Sequence, residues 1–322
     1  MYSTGIVGKT AILINGEGQV IKVRLDDLCT SLIFAVARVS HLQFPSKNPP
    51  CASFAQGPPT GAITAFDLTI QDNGKVRAAL ITDYVNIFIN DDCLGALGRF
   101  SRELSCKMAR KTAIAFSGDG RLLACGNSNG KIKIFCLADD DRQCDGLAGL
   151  DTIRDICFSH DDSLLAAFDR RGAMAVWDLR DTGRPRSMVR FRRLPRNYAP
   201  VCVTMVDDGR HGTVFVVAAI SSRGTAAVFC FSTATGIATS KISLGNMGPR
   251  AGRIMPTKCP GHAALLLGGN KVVVVDVLTP RVVAHMTSNS WVESVSCSSG
   301  SSRHTLLIGN SSPSDVVEWK YL

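Results

Sequence analysis

The sequence predicts an all-β fold, a seven-bladed β-propeller, on the basis of three observations. First, residues 114–124 resemble residues 156–166 at a distance of 42 residues, and a period of about 40–45 residues is typical of four-stranded propeller blades. Second, short apolar runs recur at seven places along the chain, most of them directly after turn residues. Third, few segments have the periodicity of an amphipathic helix.

The repeat aligns strand positions and turn positions alike. Each half contains an apolar run, a polar turn, a second apolar run, a turn with glycine and a third apolar run that ends in an aromatic residue. This order is that of three antiparallel strands joined by tight turns. The equivalent pairs are Phe116 and Phe158, Leu123 and Leu165, Gly130 and Gly172, and Phe135 and Trp177. We expect Phe116, Phe158, Leu123 and Leu165 to be buried at equivalent positions.

The third strand of each blade should be a short apolar run that follows a turn, and several of these turns contain a glycine that suits a hairpin. Seven runs fit, and they end near Val23, Phe88, Phe135, Trp177, Phe229, Val275 and Trp319. Candidate second strands cover residues 214–219, 263–267 and 305–308.

We expect residues 1–322 to form a single propeller domain. Residues 43–62 contain five prolines, which prevent regular strand pairing, so this segment is expected to be a loop inserted between the first two blades. Only three residues follow Trp319, so the last blade should lack its outer strand. There is also little room for an opening strand before residues 10–14. Either residues 1–7 act as a closing strand or the chain is truncated.

The composition bounds the class of protein. The chain is 45% hydrophobic and 20% charged, which is typical of a globular protein with a core. Its 12 cysteines are scattered without a Cys-x-x-Cys motif, which predicts buried, reduced thiols and a cytoplasmic protein. The chain has neither an apolar run long enough for a transmembrane helix nor a signal peptide. The net charge of +9 favours acidic partners.

The sequence provides no catalytic, cofactor-binding or metal-ligating residue. Residues 3–10 end in the Gly-Lys-Thr of a phosphate-binding loop, but Ser3 stands where the first glycine is required and a strand is expected to follow. The six histidines are isolated in sequence, and the chain lacks a Gly-x-Ser-x-Gly elbow. We therefore expect no cofactor.

Residues 180–196 hold seven arginines against one acid, Asp181. The segment follows the third strand of its blade, so it should form the outer strand and the loop beyond it. Arginine forks bind carboxylates and phosphates, so the segment is either a docking patch or a solvated edge whose charge prevents sheet-to-sheet aggregation. Nucleic-acid recognition is disfavoured, because only Phe191 and Tyr198 offer rings nearby. The candidate partner-binding residues are Arg184, Arg186, Arg190, Arg192, Arg193 and Arg196.

On these repeats, and on the dipeptide formed by Trp177 and Asp178, the chain resembles the WD-repeat family over nearly its full length. That resemblance implies a propeller whose rims bind protein partners, as a monomer or within a complex. The order of features is similar to that of one subfamily, the endoplasmic-reticulum exchange factors for the Sar-type GTPase, called in animals the prolactin regulatory element-binding protein family. The shared order is two clear repeats, a basic connection, and then residues 214–219 with Arg223 and Gly224 before the next strand.

The second resemblance implies guanine nucleotide exchange on a small GTPase during COPII vesicle formation, at the cytosolic face of the endoplasmic reticulum. This sequence departs from that subfamily in two respects. No glycine-rich, cation-binding loop can be matched in the first blade, and the chain stops at Leu322 without the membrane helix of the subfamily. No catalytic residue is therefore carried over. The alternative function is a non-catalytic WD-repeat scaffold for protein interactions.

Overall fold

A computed structural model of the chain confirms the all-β prediction. Its strands form antiparallel sheets, the described residues contain no helix, and this architecture fits a β-propeller. The structure describes residues 3–7, 10–14, 20–24, 36–37, 63–70, 76–82, 86–90, 102–104, 106, 108–137, 142–143, 147, 150–180, 188–190, 194–210, 212–246, 251–267, 269–289, 292–297, 305–310 and 316–321.

The described strands belong to seven sheets, named I to VII in chain order. Sheet I contains β1 (Ser3–Val7), β2 (Thr10–Ile14), β3 (Val20–Arg24) and β4 (Val36–Ala37). Sheet II contains β5 (Ile63–Ile70), β6 (Val76–Thr82), β7 (Asn86–Asn90) and β8 (Arg102–Leu104). Sheet III contains β9 (Lys111–Phe116), β10 (Leu122–Asn127), β11 (Ile132–Cys136) and β12 (Arg142–Gln143). Sheet IV contains β13 (Ile153–Phe158), β14 (Leu164–Asp169), β15 (Met174–Asp178) and β16 (Met188–Arg190).

The remaining sheets follow the same order of strands. Sheet V contains β17 (Tyr198–Asp207), β18 (Thr213–Ser221), β19 (Thr225–Ser232) and β20 (Ala238–Asn246). Sheet VI contains β21 (Ala251–Pro256), β22 (His262–Leu267), β23 (Lys271–Asp276) and β24 (Arg281–Thr287). Sheet VII contains β25 (Val292–Cys297), β26 (Thr305–Asn310) and β27 (Val316–Lys320). In every sheet, strands that are consecutive in sequence are paired.

Burial depends on a strand's place in its sheet. Five of the six residues of the second strands β10 and β14 are buried, whereas the outer strand β20 has only two buried residues. A strand that is buried on both faces is covered by a neighbouring sheet on each side. The continuous apolar runs of the sequence accordingly lie in second strands. Apolar clusters fill the spaces between sheets II and III, III and IV, IV and V, V and VI, and VI and VII.

The first strand of each sheet lies beside the first strands of the neighbouring sheets. The successive contacts join β5 to β9, β9 to β13, β13 to β17, β17 to β21, and β21 to β25. Strand β1 lies beside both β5 and β25. We call these seven first strands the inner strands, since they meet one another while the fourth strands form the outer edges.

The strand predictions agree with the structure. All seven predicted third-strand ends lie within third strands, from Val23 in β3 to Trp319 in β27, and the three predicted second strands lie within β18, β22 and β26. Leu123 pairs with Phe135 in sheet III as Leu165 pairs with Trp177 in sheet IV. Sheet VII has three described strands.

Two expectations need correction. Phe116, Leu123 and Leu165 are buried, but Phe158 is half-buried at the rim of the cluster between sheets III and IV. The expectation that there is little room for an opening strand is wrong, because β1 pairs with β2 as the first strand of sheet I. The described residues of the segment that resembles a phosphate-binding loop therefore lie in two paired strands. The predicted loop at residues 43–62 lies outside the described residues.

Candidate partner-binding surfaces

Residues 188–190 of the predicted arginine segment form β16, the outer strand of sheet IV. Arg190 lies in β16, the outer strand, opposite Ala175 of β15. Arg196 is exposed in the connection between β16 and β17. The outer-strand prediction is therefore confirmed at residues 188–190. The other candidates, Arg184, Arg186, Arg192 and Arg193, lie outside the described residues.

The first arginine of the segment takes part in an ion pair. The guanidinium of Arg180 lies 2.7 Å from a carboxylate oxygen of Asp178, the residue after Trp177. A side-chain hydrogen bond from Arg180 holds the pKa of Asp178 below its ordinary value. Both groups lie at the surface, so this pair orders the turn and contributes little to stability.

A second basic surface lies at one end of sheets III, IV and V. In each of these sheets, the connection that precedes the inner strand accepts a backbone hydrogen bond from the turn between the second and third strands. Arg170 N donates to Thr152 O at 2.8 Å, and the same link repeats in the neighbouring sheets. The other two bonds join Ser128 N to Arg110 O at 2.8 Å and Ser222 N to Asn197 O at 3.0 Å.

The ends of these three sheets form one continuous surface. The Thr152 hydroxyl donates to Ser128 O at 2.9 Å, which joins sheet IV to sheet III. Pro200 of β17 lies against Gly172, so a Cβ on that glycine would come within 3.4 Å of the proline ring. Sheet IV thus contacts the turn of sheet III through its connection, and sheet V contacts the turn of sheet IV through the start of β17.

This surface, which we call the basic end, carries six exposed cations and one acid in its described connections and turns. The acid, Asp151, lies 2.7 Å from Arg171 in an ion pair, and the Arg171 side chain is still 74% exposed. Arg154 is exposed at the start of β13 and extends the surface toward the inner strands. The six cations are Arg110, Lys131, Arg170, Arg171, Arg196 and Arg223.

The opposite end of the same sheets has acidic hairpins, and its carboxylates are used within the fold. Ser159 donates to Asp161 at 2.6 Å, and the equivalent Ser117 donates to Asp119 at 2.7 Å. Asp162 accepts hydrogen bonds from the amides of Gly118 and Asp119, so it joins sheet IV to sheet III. Burial raises the pKa of Asp162, and these amide bonds oppose the shift.

The inner strands of sheets II, IV and VI share a network of charged side chains. Arg253 of β21 lies 3.6 Å from Asp67 of β5. Asp67 accepts a hydrogen bond from Phe116 N at 2.8 Å, and Asp155 of β13 accepts one from Val203 N at 3.1 Å. Burial raises the pKa of Asp155 to about 6, while its hydrogen bonds from Val203 N and Ile156 N and the nearby Arg253 oppose the shift. Each carboxylate therefore joins its own sheet to the next one.

The basic end was not predicted from the sequence, although each of the turn glycines Gly130, Gly172 and Gly224 has a cation next to it. Lys131, Arg171 and Arg223 each directly precede or follow one of those glycines. Equivalent turns of neighbouring sheets lie at the same end, so cations on either side of the turn glycine contribute to one surface.

The prediction of buried, reduced thiols can be compared with the structure at four cysteines that lie in strands. Cys125, Cys202 and Cys230 are buried and Cys157 is half-buried, and all four are free thiols. Burial raises the pKa of each. Among the described residues, no three His, Cys, Asp or Glu side chains are placed to hold a metal ion. The described part of the chain also lacks any helix that is long and apolar enough to cross a membrane.

Part of the chain is similar to a known WD-repeat protein. The chain is 32% identical over 108 residues to WD repeat and SOCS box-containing protein 1 of Mus musculus, a region that is 31% of this chain and 25% of that protein. The similarity therefore spans about a quarter of the length of that relative. No protein-family model matches the chain. The WD-repeat relative and the multi-sheet, all-strand architecture both fit a WD-repeat family.

Proposed function

We propose that this chain is a WD-repeat propeller that binds protein partners as a non-catalytic scaffold. The observation that carries the proposal is the structural repeat of sheets III and IV, together with the WD-repeat relative. Sheets with buried middle strands and hydrogen-bonded ends provide a rigid frame, and a rigid frame lowers the entropy lost on binding. Fold alone does not identify the partner, so the surfaces must do so.

The scaffold proposal includes a ring of seven blades. Its support is the position of β1, which lies beside the inner strand of the second sheet and also beside that of the last sheet. Closure would leave no inner strand with an open neighbour. An open arc would instead leave two apolar faces exposed, which soluble proteins avoid.

The first proposed contact surface is the segment of residues 180–196, which we call the arginine edge because its described strand β16 is the outer strand of sheet IV. Replacement of Arg190, Arg192 and Arg193 by Ser should leave the thermal melt nearly unchanged, because the charges of a solvated outer edge are expected to contribute little to stability. It should slow association with an acidic partner, because a charged patch acts mainly on the on-rate. The measurement is quantitative affinity purification with the tagged chain, at low and at physiological salt.

A matched control removes the same charge elsewhere. Arg121, Arg210 and Arg281 are exposed at the ends of sheets III, V and VI that lie opposite the turns between second and third strands, which we call the acidic end. Their replacement by Ser therefore changes the net charge equally without touching the arginine edge. Loss of the same partners from both variants would assign the effect to net charge. Unchanged recovery from both variants would leave the arginine edge with its structural role, the prevention of strand pairing.

A finer proposal is guanine nucleotide exchange on a Sar-type GTPase. Its support is the order of features stated above: repeats III and IV, the basic connection, and then β18 with the turn at Arg223 and Gly224. Exchange requires tighter binding to the nucleotide-free GTPase than to the loaded form. Accelerated release of a fluorescent GDP analogue from such a GTPase would support it, and release at the intrinsic rate would exclude it and leave the scaffold proposal intact.

The proposed location follows from the function. A scaffold with reduced thiols would act in the cytoplasm, and an exchange factor would act at the cytosolic face of the endoplasmic reticulum. Cell fractionation with the full chain separates the two locations. Recovery in a secreted fraction would contradict both.

A further inference from the structure

We propose that the basic end, formed by Arg110, Lys131, Arg170, Arg171, Arg196 and Arg223, binds an extended acidic segment of a partner protein. The inference rests on the proposed scaffold function and adds the chemistry of the partner and the surface that binds it. The surface differs from the arginine edge of sheet IV and shares with it only Arg196.

The first argument is that the backbone under these cations is fixed. The Asn127 side chain accepts hydrogen bonds from Asn129 N and Lys131 N at 3.0 and 2.9 Å. In sheet IV the equivalent Asp169 accepts from Arg171 N and Ala173 N, both at 2.8 Å. Each buried acceptor closes the turn that presents a cation. The backbone positions of these turn cations are therefore fixed without a ligand, so that binding has to order the cationic side chains and not the turns.

The second argument concerns the links that hold this end together. Backbone groups, the Thr152 hydroxyl and the ion pair of Arg171 with Asp151 link the turns of this end to its connections. These links do not use the side chains of Arg170 or Arg223, so the charges of these two arginines are available to a ligand. Among the described residues of this end, the acids are Asp151 and the buried Asp169, which accepts hydrogen bonds from the backbone of its own turn. Six cations at one end repel one another, and an anionic ligand would relieve that repulsion. The acids at the opposite end, by contrast, accept hydrogen bonds within their own hairpins.

The third argument concerns the type of anion. Five of the six cations are arginines, whose planar fork binds a carboxylate with two parallel hydrogen bonds. Recognition of single-stranded nucleic acid also needs exposed rings for stacking. Among the described residues of this end, the aromatic residue is the half-buried Tyr198, whose ring lies 5.1 Å from the Phe229 ring and 4.6 Å from the Lys241 ammonium. Because one half-buried ring that already has these two contacts is a poor stacking platform, an acidic polypeptide fits better than nucleic acid.

The fourth argument concerns the shape of the ligand. The cations belong to three consecutive sheets, and their turns occupy equivalent positions in the repeat. A compact anion could reach the cations of one sheet, whereas an extended chain could cross all three. The ligand is therefore expected to be an extended segment with several Asp or Glu residues.

The test uses a labelled peptide of about twelve residues, roughly 40 Å when extended, in which Glu alternates with Ser. Its control is the same peptide with Gln in place of Glu. Fluorescence anisotropy with the full chain should detect binding of the Glu peptide and not of the Gln peptide. Binding should weaken as salt is raised toward physiological strength, because the contacts are exposed charges.

The variants locate the site. Arg170→Glu, Arg171→Glu and Arg223→Glu combined should weaken binding at least about tenfold. The control triple, Arg121→Glu, Arg210→Glu and Arg281→Glu, makes the same net change at the acidic end and should retain affinity within about twofold. Thermal melts check that each variant folds. If the first triple does not fold, Arg196→Glu with Arg223→Glu should show the same loss.

Three outcomes would overturn the inference. Equal losses in both triples would mean that net charge alone attracts the peptide. Binding of a DNA duplex or of anionic lipid vesicles at the basic end, without binding of the Glu peptide, would assign the surface to nucleic acid or membrane. Partners recovered in affinity purification that are insensitive to the basic-end variants would leave the scaffold function standing while the acidic-segment inference falls.

Discussion

Trp177 shows how one residue position serves both as a repeat marker and as a core contact. It is 3% exposed and packs between sheets III and IV with Leu165. Phe135, its counterpart in sheet III, is buried between sheets II and III. The residue that resembles a family signature is therefore a packing residue at the interface between two sheets.

Trp177→Ala should lower the free energy of unfolding by about 3–5 kcal/mol, the range for emptying a large aromatic site in a core. Trp319→Ala is the matched control, because Trp319 is only half-buried against the cluster between sheets VI and VII. Denaturant unfolding of both variants measures the difference. Equal losses would show that the two tryptophans contribute alike and would contradict the packing argument.

Asp155 links two sheets at a cost that depends on pH. Burial raises its pKa to about 6 from an ordinary value of 3.8, despite hydrogen bonds from Val203 N and Ile156 N and the charge of Arg253. A carboxyl with a raised folded-state pKa binds its proton more tightly when folded. Its contribution to stability is therefore largest below about pH 4 and is lost as the pH rises through about 6.

Asp155→Asn should remove that pH dependence. Between about pH 4 and pH 6, the melting temperature of the variant should rise relative to wild type, with a change in stability on the order of 1–3 kcal/mol. Asp161→Asn provides the contrast. Burial acts to raise the Asp161 pKa, but bonds from Ser159 and Ser163 outweigh it and lower the pKa. A constant difference between Asp155→Asn and wild type across the window would refute the assignment.

At the scale of elements, strand order was predictable and the links between sheets were not. Continuous apolar runs and turn glycines identify second and third strands, because these signals lie within a single repeat. The carboxylates that join neighbouring sheets are different. Asp67 and Phe116 are 49 residues apart, and Asp155 and Val203 are 48 apart. Such contacts depend on sheet packing, which sequence periodicity does not encode.

The basic end could be predicted only in part for the same reason. Its six cations are spread from residue 110 to residue 223, whereas the arginine segment is contiguous and was recognised from charge density alone. Equivalent repeat positions determine which scattered residues meet. The repeats of sheets III and IV are similar enough in sequence to be aligned. In this alignment, the turn that carries Lys131 is equivalent to the turn that carries Arg171.

Gly130 tests how the turn of sheet III meets the next connection. Its φ is +73°, and a Cβ there would lie 1.8 Å from Leu150 O. Gly130→Ala should therefore cost about 2 kcal/mol or more, from both the left-handed conformation and the clash. Gly245→Ala separates the two effects, because Gly245 has φ +77° with nothing within 4 Å of the added Cβ. Equal losses in thermal melts would leave only the backbone conformation as the cause.

At the scale of the whole molecule, the ends of sheets III to V differ in charge and in how the charge is used. Acids at one end accept hydrogen bonds inside their hairpins, and cations at the other end are exposed. A partner with negative charge would be oriented toward the basic end before contact. The polarity thus provides orientation in addition to affinity, which suits a scaffold.

The proposed ring makes a prediction about residues that are remote in sequence. Strand β1 lies beside β5 and β25, so its removal would deprive both of a neighbour at once. Deletion of residues 3–7 should lower the melting temperature and speed amide hydrogen exchange in β25 as well as in β2 and β5, because local opening follows lost contacts. In an open arc, β25 would not sense the deletion. Exchange protection in β13, on the far side from β1, is the internal control, and unchanged exchange in β25 would contradict closure of the ring.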